Sequence, residues 1–441
     1  MMSRQDNELL TRVGPGTPMG QLMREYWIPA CASAELVADG GPLRLMLLGE
    51  KLVAFRDSQG RVGILDHNCP HRCASLFFGR NMENGLRCIY HGWKFDVAGN
   101  CLDMPNVPKH QEFSTKIKAK AYRTFEHAGL VWTYMGARAE PPPLPALEVM
   151  FLPPEEIKVG MTQRECNWLQ GLEGEIDTSH FGFLHIGSVD LATVDPTNLH
   201  RFAIKNRAPE YYMAETDWGT MYTAYRPADP GDTYYRFGHF LFPFWTLIPD
   251  GTFEDNIIAG AWVPMDDTHV MTTYMTWSKR TSALRTQKTG AAIPGFETIM
   301  APQKPNTSDW FGRFRTQANA ANDYLIDRDA QRRNVYSGLT SIEVQDQAVV
   351  ESMGDVVDRT KEHLAPSDRM ITLTRRRLMR AVQAHQVENI VPPGVDTPEV
   401  YFGARGGSLI APEGSDWLEV YGSRLKQAAH ASRTGVLRAA E

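Results

Sequence analysis

Cys69-Pro70-His71 and, after sixteen intervening residues, Cys88-Ile89-Tyr90-His91 constrain this chain more than any other feature. Each segment places one thiol and one imidazole on a short loop, so two loops suffice to bring four metal ligands together. Such a set suits zinc or an iron–sulfur cluster. Zinc fingers usually pair like with like, C-x-x-C followed by H-x-x-x-H. Here each loop gives one of each. That distribution is expected when one iron of a [2Fe–2S] cluster takes both sulfurs and the other takes both imidazoles, as in Rieske centres. Pro70 and Gly92 are turn formers that suit loops cupping a cluster. Structural zinc is the rival reading.

The chain around these loops has 441 residues, enough for two domains or three, with 42% hydrophobic and 22% charged residues, as in ordinary globular proteins. Lys+Arg number 46 against Asp+Glu 52, a net charge of −6, so no global basic field draws the protein to nucleic acid or anionic lipid. Apolar runs such as Leu45–Leu48 are far shorter than the roughly 20 residues that cross a bilayer. The first residues, MMSRQDNELLTRVG, lack the apolar stretch of an export signal. The expectation is a cytoplasmic protein whose six cysteines are reduced and available as ligands.

Residues 1–27 read as a helical lead-in, with Thr17 as cap, Pro18 at the first helical position, and Leu22, Met23 and Tyr26 at helical spacing. Residues 28–140 read as an all-β domain of hairpins: Leu52–Phe55 with Val62–Leu65, Trp93–Val97 with Cys101–Asp103, and Tyr122–Phe125 with Leu130–Tyr134. The stiff run Pro141-Pro142-Pro143-Leu144-Pro145 marks the boundary of a second domain, 141–441. There the pattern predicts a helical stretch from Trp168 to His185. Strands follow at His200–Asn206, Glu210–Thr216, Met221–Arg226, Tyr234–Phe240, Ile257–Val263 and Val270–Trp277, and then helices at Ile342–Met353 and Met370–His385. An α+β domain, an antiparallel sheet covered by helices on one face, is the natural reading. Arg375-Arg376-Arg377 falls inside the last helix and reads as a solvated face.

CPHR at 69–72 and CIYHGWKFDVAG at 88–99 resemble the Rieske domain of aromatic-ring-hydroxylating oxygenases. The family commonly carries Gly where Cys73 stands, and Cys73 is expected to be a small packed residue. The resemblance runs from GPGTPMGQLMREYWIPA near the N-terminus to MGDVVDRTKEHLAPSD at 353–368, and is greatest for phthalate-dioxygenase-type oxygenase components. It implies a [2Fe–2S] cluster on Cys69, His71, Cys88 and His91, and a catalytic domain of the helix-grip type. It also implies a homotrimer or stacked hexamer.

A Rieske cluster moves single electrons, so an oxygenase needs a second centre. Asp177-x-x-His180-x-x-x-x-His185 resembles the family's mononuclear iron motif. On a regular helix Asp177 and His180 share a face, whereas His185 is rotated away by about 140°, so Gly182 is expected to end or bulge the helix. Ferrous oxygenases complete two histidines with one carboxylate. Asp346, in Val344-Gln345-Asp346-Gln347-Ala348, resembles the family's acid, with Glu351 the runner-up. The resemblance gives Asp177 a separate role, bridging the Rieske site of one subunit to the iron site of the next.

The expected function is a terminal oxygenase component that uses O2 to hydroxylate, by cis-dihydroxylation, an aromatic carboxylate such as a phthalate. O-demethylation of a methoxylated aromatic acid is the alternative. A Rieske electron carrier and a zinc-stabilised binding module are the readings from other classes. With no G-x-G-x-x-G fingerprint and no C-x₄-C-x₂-C motif, electrons are expected from a separate NAD(P)H-dependent reductase. Phthalate-type relatives hold substrate carboxylates with arginines, so Arg207, in its NRAP context, Arg236 and then His239 are the substrate-binding candidates.

Overall fold

The computed structural model describes residues 2–280, 285–296, 298 and 300–428. A Ser3-capped helix, Arg4–Thr11, precedes the expected helix Pro18–Arg24, whose cap Thr17 accepts from the Gly20 amide at 3.3 Å.

The first domain carries two antiparallel sheets. Six strands run in the order Trp27–Ala32, Leu130–Tyr134, Ala121–His127, Val62–Asp66, Glu50–Arg56, Leu43–Leu47. The second sheet runs Arg80–Met82, Gly85–Arg87, Lys94–Phe95, Cys101–Asp103. All three expected hairpins form. Asp57 and Asp96 each nucleate a turn by accepting two backbone N–H groups, from Gln59 and Arg61 and from Ala98 and Asn100. The third hairpin is tighter than its sequence suggests: His127 pairs directly with Leu130 across the two-residue turn Ala128-Gly129.

The proline run crosses between the domains as an extended segment, and Pro142 accepts the Trp27 indole N–H at 2.7 Å. The Leu48 and Gly49 amides donate to Pro264 and Met265, and the Trp132 and Trp245 rings stack at 5.8 Å, so the domains share one apolar core.

The second domain is one antiparallel sheet in the order Ile157–Arg164, Val270–Trp277, Ile258–Pro264, Trp245–Leu247, Asp232–Leu241, Gly219–Pro227, Glu210–Thr216, with Gly407–Pro412 also pairing Asp232–Leu241. The helix Trp168–Ile176 lies so close to it that a Cβ on Gly171 would sit 2.2 Å from the Trp262 ring. The helix Arg369–Glu388 packs on the strand Gly219–Pro227, where Thr374 and Thr220 share a 2.7 Å hydrogen bond. The helix Trp417–Gln427 covers part of the opposite face through Tyr421 and Trp417 against Phe237, so the sheet is sandwiched rather than covered on one side.

Three local expectations are corrected. His200–Asn206 is not a strand: Ala203 and Ile204 bond back to the His200 carbonyl and form the short helix Arg201–Lys205, which buries three successive side chains, Phe202, Ala203 and Ile204. The helix begun at Trp168 stops at Ile176, well before His185. Arg375 is not solvated; it is buried and bonds Glu173 and Glu362 with both ends of its guanidinium, while Arg359 shares Glu173.

Candidate metal centres

The two Cys/His loops repeat one backbone pattern. The Cys69 amide donates to Ala74 and accepts, through its carbonyl, from Cys73; the Cys88 amide donates to Trp93 and its carbonyl accepts from Gly92. Cys73 therefore occupies the position Gly92 fills in the other loop, and both are left-handed, at φ +56° and +81°. Cys73 is exposed, not packed as its size suggested, and the demand at this position is conformational. Cys69 and Cys88 are buried close to one another, whereas His71 and His91 are less buried, with ring centroids 4.4 Å apart. Trp93 stacks flat on His71 at 4.3 Å, held by its own bond to Asn106. Burial pushes the Cys69 thiol up to about 12, so its thiolate requires a cation beside it. A thiol pair inside and an imidazole pair outside fit a two-iron cluster ligated two and two.

The second site lies where the helix Trp168–Ile176 ends over the sheet. Asp177 leaves helical geometry at φ −83°, ψ 102°, and its Oδ1 takes the Ser179 amide at 2.7 Å. This turn, not Gly182, breaks the helix, and Asp177 and His180 do not share a helix face. His180–Gly182 is a separate single turn, after which the chain reverses so that His185 faces His180. Asp346 comes from the helix Ile342–Ser352.

The Nε2 atoms of His180 and His185 are 3.0 Å apart, and Asp346 Oδ1 is 3.6 and 3.2 Å from them. Among the described residues these three alone bring three ligand atoms within 4.8 Å of one another. Asp177 Oδ2 sits 3.5 Å from His180 Nδ1, and Gln345 Oε1 is 2.7 Å from His185 Nδ1. With each Nδ1 turned to an oxygen acceptor, a neutral imidazole at either position carries its lone pair on Nε2, aimed at the same point as a carboxylate oxygen. That arrangement is repulsive unless a cation fills it, and it fits a ferrous ion held on one side with the other side open. Burial opposes charge on His180, yet Asp177 and then Asp346 outweigh it and hold its pKa above the usual value. Glu351, the runner-up acid, is elsewhere, accepting from the Glu165 amide and the Tyr324 hydroxyl.

The substrate candidates divide. Arg236 is buried on the sheet face turned towards this site, its guanidinium 4.0 Å over the ring of Phe181, the residue after His180. Arg207 is only half-buried, donating weakly to the Ile186 carbonyl at 3.4 Å. His239 is on the opposite face, bonded to the Arg405 carbonyl and near the Tyr421 hydroxyl, so it does not reach the site. Sequence reasoning missed Arg226 and His200. Arg226 pairs across from Tyr234 while Ala224 pairs across from Arg236, which makes the two arginines diagonal neighbours on one face. Nε and Nη1 of both, and Nε2 of His200, are buried without a hydrogen-bond partner, and neither guanidinium meets a carboxylate among the described residues. Burial and then Arg236 pull Arg226 down to about 10, and the same two causes push His200 to about 3, leaving it neutral.

The family described as the Rieske [2Fe-2S] domain matches residues 26–120, and that described as LigXa C-terminal domain like matches 133–432. The 3-chlorobenzoate-3,4-dioxygenase oxygenase subunit of Comamonas testosteroni is 49% identical over 429 residues, covering 97% of this chain and 99% of that one. The phthalate 4,5-dioxygenase oxygenase subunit of Pseudomonas putida is 35% identical over 88% of this chain and 87% of its own. Among solved structures, the NdmA QL mutant of Pseudomonas putida CBB5 with caffeine aligns with a TM-score of 0.55 at 17% identity, covering 90% and 99% of the two chains, a likeness of fold. With relatives this similar aligned along nearly its whole length, and two family matches that meet near the domain boundary, the chain belongs to the Rieske non-haem iron ring-hydroxylating oxygenases, as an oxygenase component.

Proposed function

We propose that this protein is the terminal oxygenase of a multicomponent system that hydroxylates an aromatic carboxylate. In this reading Cys69, His71, Cys88 and His91 hold the [2Fe–2S] cluster, and His180, His185 and Asp346 hold the mononuclear ferrous ion. The cluster supplies single electrons, drawn from a separate reductase, and the ferrous ion supplies O2 activation. That the relatives are themselves oxygenase subunits supports a separate reductase.

The observation that carries the substrate class is the buried, acid-free pair Arg226 and Arg236 beside Phe181. Two unneutralised guanidiniums in a protein interior are expensive, and an incoming carboxylate relieves the expense with charge-assisted hydrogen bonds. Phe181, Tyr211, Tyr222 and Tyr234 lie near the same arginines and supply flat apolar surface for a ring. Arg236, which stacks over Phe181 beside His180, fixes the carboxylate so that the ring lies towards the metal. The partly exposed Asp177 carboxylate orients His180 and offers its outer edge to a neighbouring subunit of a trimer or stacked hexamer.

Mass spectrometry of products from benzoate, 3-chlorobenzoate, phthalate and methoxybenzoates, beside benzamide, tests this reading and separates dihydroxylation from demethylation. Arg236→Gln and Arg226→Gln are expected to raise KM for the acid by tens of fold, the equivalent of roughly 1.5–3 kcal/mol, while leaving the cluster spectrum intact. Equal use of acid and amide by the parent protein would discard the carboxylate reading.

A further inference from the structure

We propose that Gln345 is the positioning residue that fixes the tautomer of His185 and so aims its lone pair at the metal. The inference rests on the iron site proposed above and adds to it a residue that touches no metal.

Gln345 is completely buried and immediately precedes the candidate ligand Asp346 on the helix Ile342–Ser352. Successive helical residues diverge by about 100°. One turn of helix therefore supplies a carboxylate on the metal side and a carboxamide on the far side of the His185 ring. A carboxamide has two N–H donors and one acceptor oxygen. Both donors of Gln345 are committed, to the Gly295 carbonyl at 3.0 Å and the Leu339 carbonyl at 2.9 Å. Turning the amide over would set its oxygen against those two carbonyl oxygens, so Oε1 is held towards His185 Nδ1 at 2.7 Å.

An oxygen that only accepts requires a proton on Nδ1. In the neutral imidazole that leaves the lone pair on Nε2, the atom facing His180 and Asp346. The opposite tautomer would aim an N–H at the metal. Gly295 guards the arrangement: it is left-handed at φ +86°, and a Cβ there would lie 3.2 Å from the Gln345 nitrogen. The two histidines are therefore oriented by unlike groups, His180 by a carboxylate and His185 by a neutral amide.

The test uses full-length oxidised protein with its cluster retained and its mononuclear site stripped by a chelator. Co(II) is titrated in by calorimetry, and its EPR signal is read free of interference from the diamagnetic oxidised cluster. Gln345→Leu removes the acceptor. Gln345→Met, unbranched and of similar length, also removes the amide acceptor and carries the test if the leucine variant is insoluble. Both are expected to bind Co(II) ten- to a hundredfold more weakly than the parent, with a shifted EPR signal and unchanged cluster spectrum. Parent-like affinity and EPR in the variants, with His185→Ala losing the site, would overturn the role of Gln345. So would a loss of affinity that comes only with loss of the cluster spectrum. Parent-like Co(II) binding by His185→Ala would instead overturn the iron-site reading itself.

Discussion

His180 and His185 point their Nε2 atoms at each other across 3.0 Å, each with its Nδ1 turned to a side-chain oxygen. Nitrogen lone pairs so opposed have nothing to gain from each other and a cation to share. Removing one of them leaves too few ligands. His180→Ala is expected to contain two irons per chain instead of three, keep the red-brown cluster spectrum, and show no substrate oxidation. Iron and acid-labile sulfide analysis beside a turnover assay checks this, and residual oxidation in the variant would rule the site out.

The candidate metal ligands were legible as short motifs, except Asp346, which only the family resemblance singled out. Cys69-x-His71 and Cys88-x-x-His91 need only two loops, and His180 and His185 lie within one segment. The residues that support them were not legible. Gln345 reaches His185 across 160 positions of chain, and no local pattern reports such a contact. Arg226 closes the strand Gly219–Pro227 with only a proline after it, and its place beside Arg236 comes from the pairing of two strands, which no pattern within either strand reports. One error was avoidable: Arg236 and His239 are three positions apart on a single strand, so a period of two already puts them on opposite faces. The cover on the sheet's other face was missed because the helix Trp417–Gln427 has only one fully buried side chain, Tyr421, and so shows a weak apolar stripe.

Asp177 ends a helix, captures the Ser179 amide and orients His180, three tasks that differ in their need for charge. Asn keeps the capacity to accept the amide hydrogen bond but not the negative charge. Asp177→Asn should therefore retain both metals and the fold while slowing cluster-to-iron electron transfer by orders of magnitude, read in single-turnover experiments on pre-reduced protein. An unimpaired rate would leave Asp177 with a structural role alone.

Cys73 holds a left-handed backbone at φ +56° in the place where the matching loop has Gly92. An L side chain in that region costs about 1–2 kcal/mol, partly offset by the greater unfolded-state freedom of glycine. Cys73→Gly is expected to stabilise the first domain by about 1 kcal/mol without changing the cluster spectrum. Denaturant-induced bleaching of the cluster gives the measurement, and an earlier midpoint in the variant would contradict the strain argument.

Glu175 is a part-buried acid near Asp346 whose Oε2 takes hydrogen bonds from the Trp262 indole at 2.8 Å and the Tyr274 hydroxyl at 2.5 Å. Burial lifts its pKa from 4.5 to about 7; the Tyr274 bond opposes the rise and the nearby Asp346 charge adds to it. An unfolded chain releases this proton near 4.5, whereas the folded chain keeps it until about 7. Between those values the folded state binds more protons, so the contribution of Glu175 to stability falls as pH rises through the window and levels off above it. Over two and a half units the loss amounts to at most about 3.4 kcal/mol. Gln is neutral throughout, and its single oxygen still accepts both donors. With the mononuclear site stripped, Glu175→Gln should melt with the parent near pH 5 and progressively above it towards pH 8. A melting difference that stays constant across that range would mean Glu175 is ionised in the fold at acidic pH, against the burial that surrounds it.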